Sequence, residues 1–137
     1  MNSMIQYRYF TLLTIGMILV LGACQKKIAI APVDEDFETF YDRFHEERDF
    51  QLDRVAFPLE GQLTDDQGTS DWTREGWEMH RGKVTEITAS NYDTEIIRKD
   101  NEVTDKVKLR DAGFYIERRF EQIKGRWFLV YYEKVDL

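Results

Sequence analysis

Arg118 is the polar side chain with the most to explain. Along Gly113 to Gln122 it alternates with Phe114, Ile116 and Phe120, so an extended strand sets it on the same face as three apolar side chains. A guanidinium on such a face needs a carboxylate. That carboxylate comes either from Glu or Asp of a helix, as a buried or rim ion pair, or from an anionic ligand. A bulge would reverse the parity. Tyr41, Trp72 and Trp77 are large aromatics able to stack on a sugar ring or an apolar ligand, or simply to pack as core and lid. With Arg118 they form the candidate ligand pocket. His45 and His80 could move protons, but each stands without a partner in the sequence, and a suitable pKa alone makes no catalyst. No catalytic residue is assigned.

The other familiar chemistries lack their spacing. There is no HExxH, no paired-histidine pattern, no GxGxxG, no phosphate loop and no GxSxG, so no zinc site and no cofactor is expected. Asp65-Asp66 and Asp100 to Asp105 read as acidic loops without EF-hand spacing. The net charge of −7 disfavours nucleic acid as a partner.

These residues must be positioned by elements that the periodicity predicts. Phe37, Phe40, Tyr41 and Phe44 recur at helical spacing, which predicts an aromatic-faced helix over 35–48, with Asp34 as its cap. A second helical turn follows at Phe50 to Arg54. Val55 to Gly61 is a short extended segment that Pro58 confines to an edge or bend. Gln62 to Asp71 is polar and reads as a surface loop. Asp71 could cap one or two helical turns through Trp72 to His80, against the weakening effect of Gly76. Strands are predicted over 84–89, 92–98, 103–109, 113–122 and 126–135. The last has Trp127, Leu129 and Tyr131 on one face and Phe128, Val130 and Tyr132 on the other. Being apolar on both faces, it is either a central strand or one that meets a partner, such as a second copy. Helices first and a mostly antiparallel sheet after them define an α+β fold.

The start of the chain carries a different signal. Tyr9 to Leu21 is mostly apolar, follows Arg8 and is too short for a spanning helix. It suits the hydrophobic region of a signal peptide. Leu21-Gly22-Ala23-Cys24 resembles the bacterial lipobox, which implies cleavage after residue 23 and acylation of Cys24, the one cysteine of the chain. Residues 1–23 are then a signal peptide, 24–33 the lipidated cysteine and tether, and 34–137 a single domain. The leader holds no acidic residue and one basic one, so its removal leaves the chain at about −8. Two or three acyl chains would anchor it firmly, because each buried methylene adds about 0.8 kcal/mol. With Cys24 acylated, no thiol remains for a disulfide.

The segments "FETFYDRFHEERDFQLDRVAFPLEG" and "WTREGW", with the closing hairpin "YIERRFEQIKGRWFLVYYEKV", resemble a family of Bacteroidetes-type lipoproteins of unknown function. That family is similar in fold to nuclear transport factor 2-like domains. The resemblance runs from about Asp36 to Val135. It implies a cone: a long N-terminal helix packed on a strongly curved, mostly antiparallel sheet. It implies no activity, since the wider superfamily holds isomerases, dehydratases and binding modules. The expectation is a cell-envelope protein tethered to the membrane by lipid, on the periplasmic side of the outer membrane. It would act as a non-enzymatic domain for a small ligand or an envelope protein. A cone-fold isomerase or hydrolase, or a structural subunit pairing through its sheet, are the alternatives.

Overall fold

The computed structural model describes residues 34–137. The leader, Cys24 and the tether lie outside the described residues. Helix α1, Phe37–Glu46, buries Phe37, Phe40, Tyr41, Phe44 and His45. Its cap is Asp36 rather than Asp34: the Asp36 carboxylate accepts from the Thr39 amide and hydroxyl, both at 2.9 Å. The chain is held one step earlier by Glu35, whose N–H donates to Gly125 O at 2.8 Å. A short helix α2, Arg48–Asp53, follows.

Seven strands form one curved mixed sheet: β1 Val55–Glu60, β2 Gln62–Asp65, β3 Gly68–Asp71, β4 Tyr92–Lys99, β5 Glu102–Leu109, β6 Phe114–Ile123 and β7 Arg126–Asp136. Their order is β3-β2-β7-β6-β5-β4, and β1 also pairs with β7. The pairings β4–β5, β5–β6, β6–β7 and β2–β3 are antiparallel. The pairings of β1 and β2 with β7 are parallel. Strand β7 is therefore central, as its two apolar faces require.

Three expected elements change. The polar stretch Gln62 to Asp71 is the hairpin β2–β3, not a loop. Asp65 Oδ1 accepts from Gln67 N at 2.8 Å and Gly68 takes φ +121°, which closes the turn. Its side chains are mostly polar and β3 is wholly exposed, so no alternation marks the strands. Residues 72–80 are not helical; Asp71 ends β3 and accepts from Gln62 Nε2 at 2.9 Å. Residues 84–89 are not a strand but hold a single 3-10 turn, Val84–Glu86, in which only Val84 is buried.

The core lies between α1 and the sheet. Phe120 of β6 is 0 % exposed and meets the rings of Phe37, Phe40, Tyr41 and Phe44 at 5.4–5.8 Å between centroids. A fully buried Phe contributes about 1.5–3 kcal/mol by burial alone. On β7 the register slips: Arg119 faces Tyr131 while Phe120 faces Leu129, so Val130 is a bulge. The bulge corrects the predicted parity. Trp127, Leu129 and Tyr132 are buried together, and Tyr131 turns out.

Gly61 joins β1 to β2 at φ +85°. A Cβ there would lie 2.3 Å from Tyr132 O and 2.6 Å from its carbonyl carbon. Both atoms belong to the central strand's backbone and cannot yield cheaply. Gly61→Ala is expected to lower stability by more than the roughly 1–2 kcal/mol of left-handed backbone alone, measured by urea denaturation.

Candidate functional site

Arg118 points inward and is 3 % exposed. Strand register sets the groups around it. Asp105 on β5 lies opposite Arg118 on β6, and Arg118 lies opposite Tyr132 on β7. These three side chains make one polar row across the concave face. Helix α1 covers the row with Tyr41 and His45, one turn apart. The guanidinium grips Asp105 in two parallel bonds, Nε to Oδ1 and Nη2 to Oδ2, each 2.9 Å. The expected carboxylate partner is thus on a neighbouring strand, not on a helix, and Asp105 belongs to β5 rather than to an acidic loop.

The remaining N–H groups of Arg118 are also used. Nη1 donates to His45 Nε2 at 3.0 Å, and Nη1 and Nη2 both reach Gly82 O at 3.3 Å. The Tyr41 hydroxyl donates to Asp105 Oδ2 at 2.6 Å and accepts from the Val84 amide at 3.2 Å. Since a guanidinium only donates, His45 Nε2 must accept. His45 is therefore neutral, with its proton on Nδ1 and given to Tyr41 O at 2.8 Å. Burial, then the nearby Arg118 charge, pushes its pKa down to about 4. Burial raises the Tyr41 phenol well above its usual range and pushes Tyr132 up to about 12.

A second cluster adjoins the first through Tyr132. Its hydroxyl lies 3.2 Å from His80 Nδ1, and its ring stacks on Trp72 at 4.5 Å between centroids and 2° between planes. Trp72 Nε1 donates to Tyr132 O at 2.7 Å. Gln51, 0 % exposed, ties the segment together: it accepts from Trp77 Nε1 at 3.0 Å and His80 N at 2.9 Å, and donates to Phe44 O and His80 O. Burial, then the charges of Arg118 and Lys134, hold the His80 pKa down at about 4.

All four expected pocket residues therefore fall in one contiguous region. Tyr41 and Arg118 touch directly, Trp72 and Trp77 pack edge to face at 5.6 Å, and His80 and Tyr132 bridge the pairs. They do not line an open pocket together. Tyr41, Trp77 and Arg118 are buried, and only Trp72 reaches a surface depression. That depression, of about 530 Å³, also takes in Pro58, Leu59 and Glu133. Another, of about 370 Å³, lies between Val55, Phe57, Ile123 and Phe128. Among the described residues, no group of three or more His, Cys, Asp or Glu is placed to hold a metal ion.

Sequence reasoning missed Asp105, Tyr132 and Gln51. Asp105 sits among charged neighbours, and Tyr132 is concealed by the bulge. Gln51 carries no local mark of burial.

A helix laid on a curved mixed sheet, with its concave face filled by aromatics and a closed polar row, defines the class as α+β of the cystatin-like and nuclear transport factor 2-like kind. The chain belongs to the family whose model matches residues 35–136. A cystatin-like protein from Bacteroides caccae is similar at 26 % identity and TM-score 0.56, with 76 % of this chain and 78 % of that one covered. An NTF2-like protein from Bacteroides fragilis matches at 18 % identity and TM-score 0.51, over 74 % of this chain and 47 % of that one. A protein from Bacteroides uniformis matches at 23 % and 0.51, over 75 % and 77 %. No curated protein matches.

Proposed function

We propose that this chain is a lipid-anchored cell-envelope protein whose domain acts without catalysis, as a binding or interaction module. The observation that carries the domain's part is the saturation of Arg118. Every N–H of the guanidinium has an acceptor within the chain, and Tyr41, His45 and Asp105 are spent on holding it. The polar row then locks α1 to the sheet, and ligands or protein partners meet the surface, where Trp72 lines the larger depression. Cys24 after Leu21-Gly22-Ala23 supports the anchor, and the periplasmic side of the outer membrane is the location proposed with it.

Full-length chain expressed in a lipoprotein-processing bacterium with labelled palmitate is expected to take up label and sediment with membranes. Cys24→Ala is expected to abolish both. Absence of label, or an intact leader by mass spectrometry, would refute the anchor. Thermal shift of the purified full chain against glycans, bile acids and peptidoglycan fragments tests the module.

A second reading, a cone-fold isomerase or hydrolase, draws on the inward-facing Tyr41–Asp105 and His80–Tyr132 pairs. Turnover of a substrate that a folded Tyr41→Phe variant no longer turned over would favour it. A third, self-association through the sheet, predicts a dimer by light scattering.

A further inference from the structure

Residues 72–87 run between β3 and β4 with one 3-10 turn as their regular structure. They lie as a strap against α1, α2 and the inward side chains of β6 and β7. Where backbone groups of this strap bond outside it, they bond to side chains: His80 N and O to Gln51, Gly82 O to Arg118, and Val84 N to the Tyr41 hydroxyl. The strap is otherwise held by indole N–H bonds from Trp72 and Trp77, by the ion pair of Lys83 with Asp42 at 2.9 Å and Glu46 at 3.2 Å, and by Arg74 against Leu52 O and Asp53. No backbone ladder joins it to the sheet. Segments held in this way open at lower free energy than strands do.

We propose that this strap is acid-released: protonation of His80 frees residues 72–87 from α1 and the sheet while the sheet itself stays folded.

The surroundings of His80 give the direction. Tyr132 and Lys134 face it from β7, Arg118 from β6 and His45 from α1. Trp72 and Trp77 of the strap pack edge-on to its ring, and α2 offers only the amide of Gln51. The two charged side chains have carboxylate partners of their own, Asp105 of β5 for Arg118 and Asp136 of β7, at 3.3 Å, for Lys134. The charges bearing on His80 are cations, and its Nε2 is buried without a hydrogen-bond partner. Protonated, the ring is a third cation beside Arg118 and Lys134 and donates from both nitrogens, with Tyr132 as acceptor for Nδ1 and none for Nε2. Swinging out with the strap hydrates both. Because His80 is itself part of the strap, release returns it to water at its ordinary value of 6.5, against about 4 when closed. The open form then binds more protons between those values, so the closed form is full strength at pH 7 and weakens as pH falls. By linkage the open population rises about 20-fold from pH 7 to pH 5. His45, fixed on α1 beneath, acts in the same sense on the whole domain rather than on the strap.

Hydrogen–deuterium exchange of the full chain in detergent tests this, with rates corrected for intrinsic pH dependence. Peptides from residues 72–87 are expected to exchange about 20-fold faster at pH 5 than at pH 7, without acceleration by low urea, while β5–β7 peptides stay protected. His80→Gln is expected to remove the pH dependence. Strap protection that is constant with pH would overturn the proposal. So would exchange accelerated by urea as steeply as in β5–β7, or a full pH effect in His80→Gln. Should that variant not fold, histidine titration of the native chain by NMR decides. Titration of His80 well below 6, in step with shifts in the strap, supports release, and titration near 6.5 in the closed protein overturns it.

Discussion

Asp105→Asn is expected to destabilise the domain by about 3–5 kcal/mol, among the largest effects of any single polar substitution here. The carboxylate is 1 % exposed and accepts three hydrogen bonds, two from Arg118 and one from Tyr41. Removing its charge leaves a guanidinium taken out of water and bonded to groups that carry no negative charge, His45, Gly82 O and the Tyr41 hydroxyl. The amide nitrogen of Asn would also point a donor at Arg118 or Tyr41. The cost is a penalty for a stranded charge, not the worth of the pair. Replacing both partners, Asp105→Leu with Arg118→Met, should therefore cost much less than Asp105→Asn alone. Urea denaturation of the three variants measures this. An Asp105→Asn variant within about 1 kcal/mol of the parent would mean that the guanidinium finds another counter-charge or water.

Phe120→Ala is expected to cost a similar 3–5 kcal/mol by a different route. This ring is the contact point of four aromatics on α1, and it is fully buried. Truncation opens a cavity whose walls are a helix and a strand, neither of which can collapse without breaking its ladder. Phe120→Leu should recover part of the loss. Near-ultraviolet circular dichroism should change in the same order, because the lost edge-to-face contacts fix the surrounding rings. An unchanged midpoint in Phe120→Ala would show that α1 does not depend on this seat.

Which parts of this design are legible from the residues follows from where each signal resides. Helix α1 and strand β6 write their burial into a local period, so Phe37, Phe40, Tyr41 and Phe44, and Ile116, Arg118 and Phe120, announce their faces. Arg118 stood out because a charge interrupts an apolar face. Its partner did not, since Asp105 lies among Thr104, Lys106 and other polar residues and becomes special only through its register with β6. The hairpin β2–β3 escapes a hydrophobic reading because its side chains are mostly polar and β3 is wholly exposed. Tyr132 misleads because one extra residue at Val130 shifts every later side chain on β7. The strap has no period to read; its order comes from Gln51, Tyr41 and Arg118, distant in sequence and adjacent in space. Tyr41, Trp72, Trp77 and Arg118 lie near one another, and packing rather than vacancy occupies the place where a pocket is expected.

The place of β7 in both the chain and the sheet sets a timetable. It is the last element of the described chain, yet β6, β1 and β2 all pair with it, the last two across more than sixty residues: Val55 meets Leu129 and Leu63 meets Lys134. A polypeptide emerging N-terminus first can wind α1 and close the β2–β3 hairpin early, but β1 has no strand partner, and that hairpin no seat in the sheet, until β7 arrives. Such distant closures delay the productive folding step. The sheet thus locks only once β7 is in place.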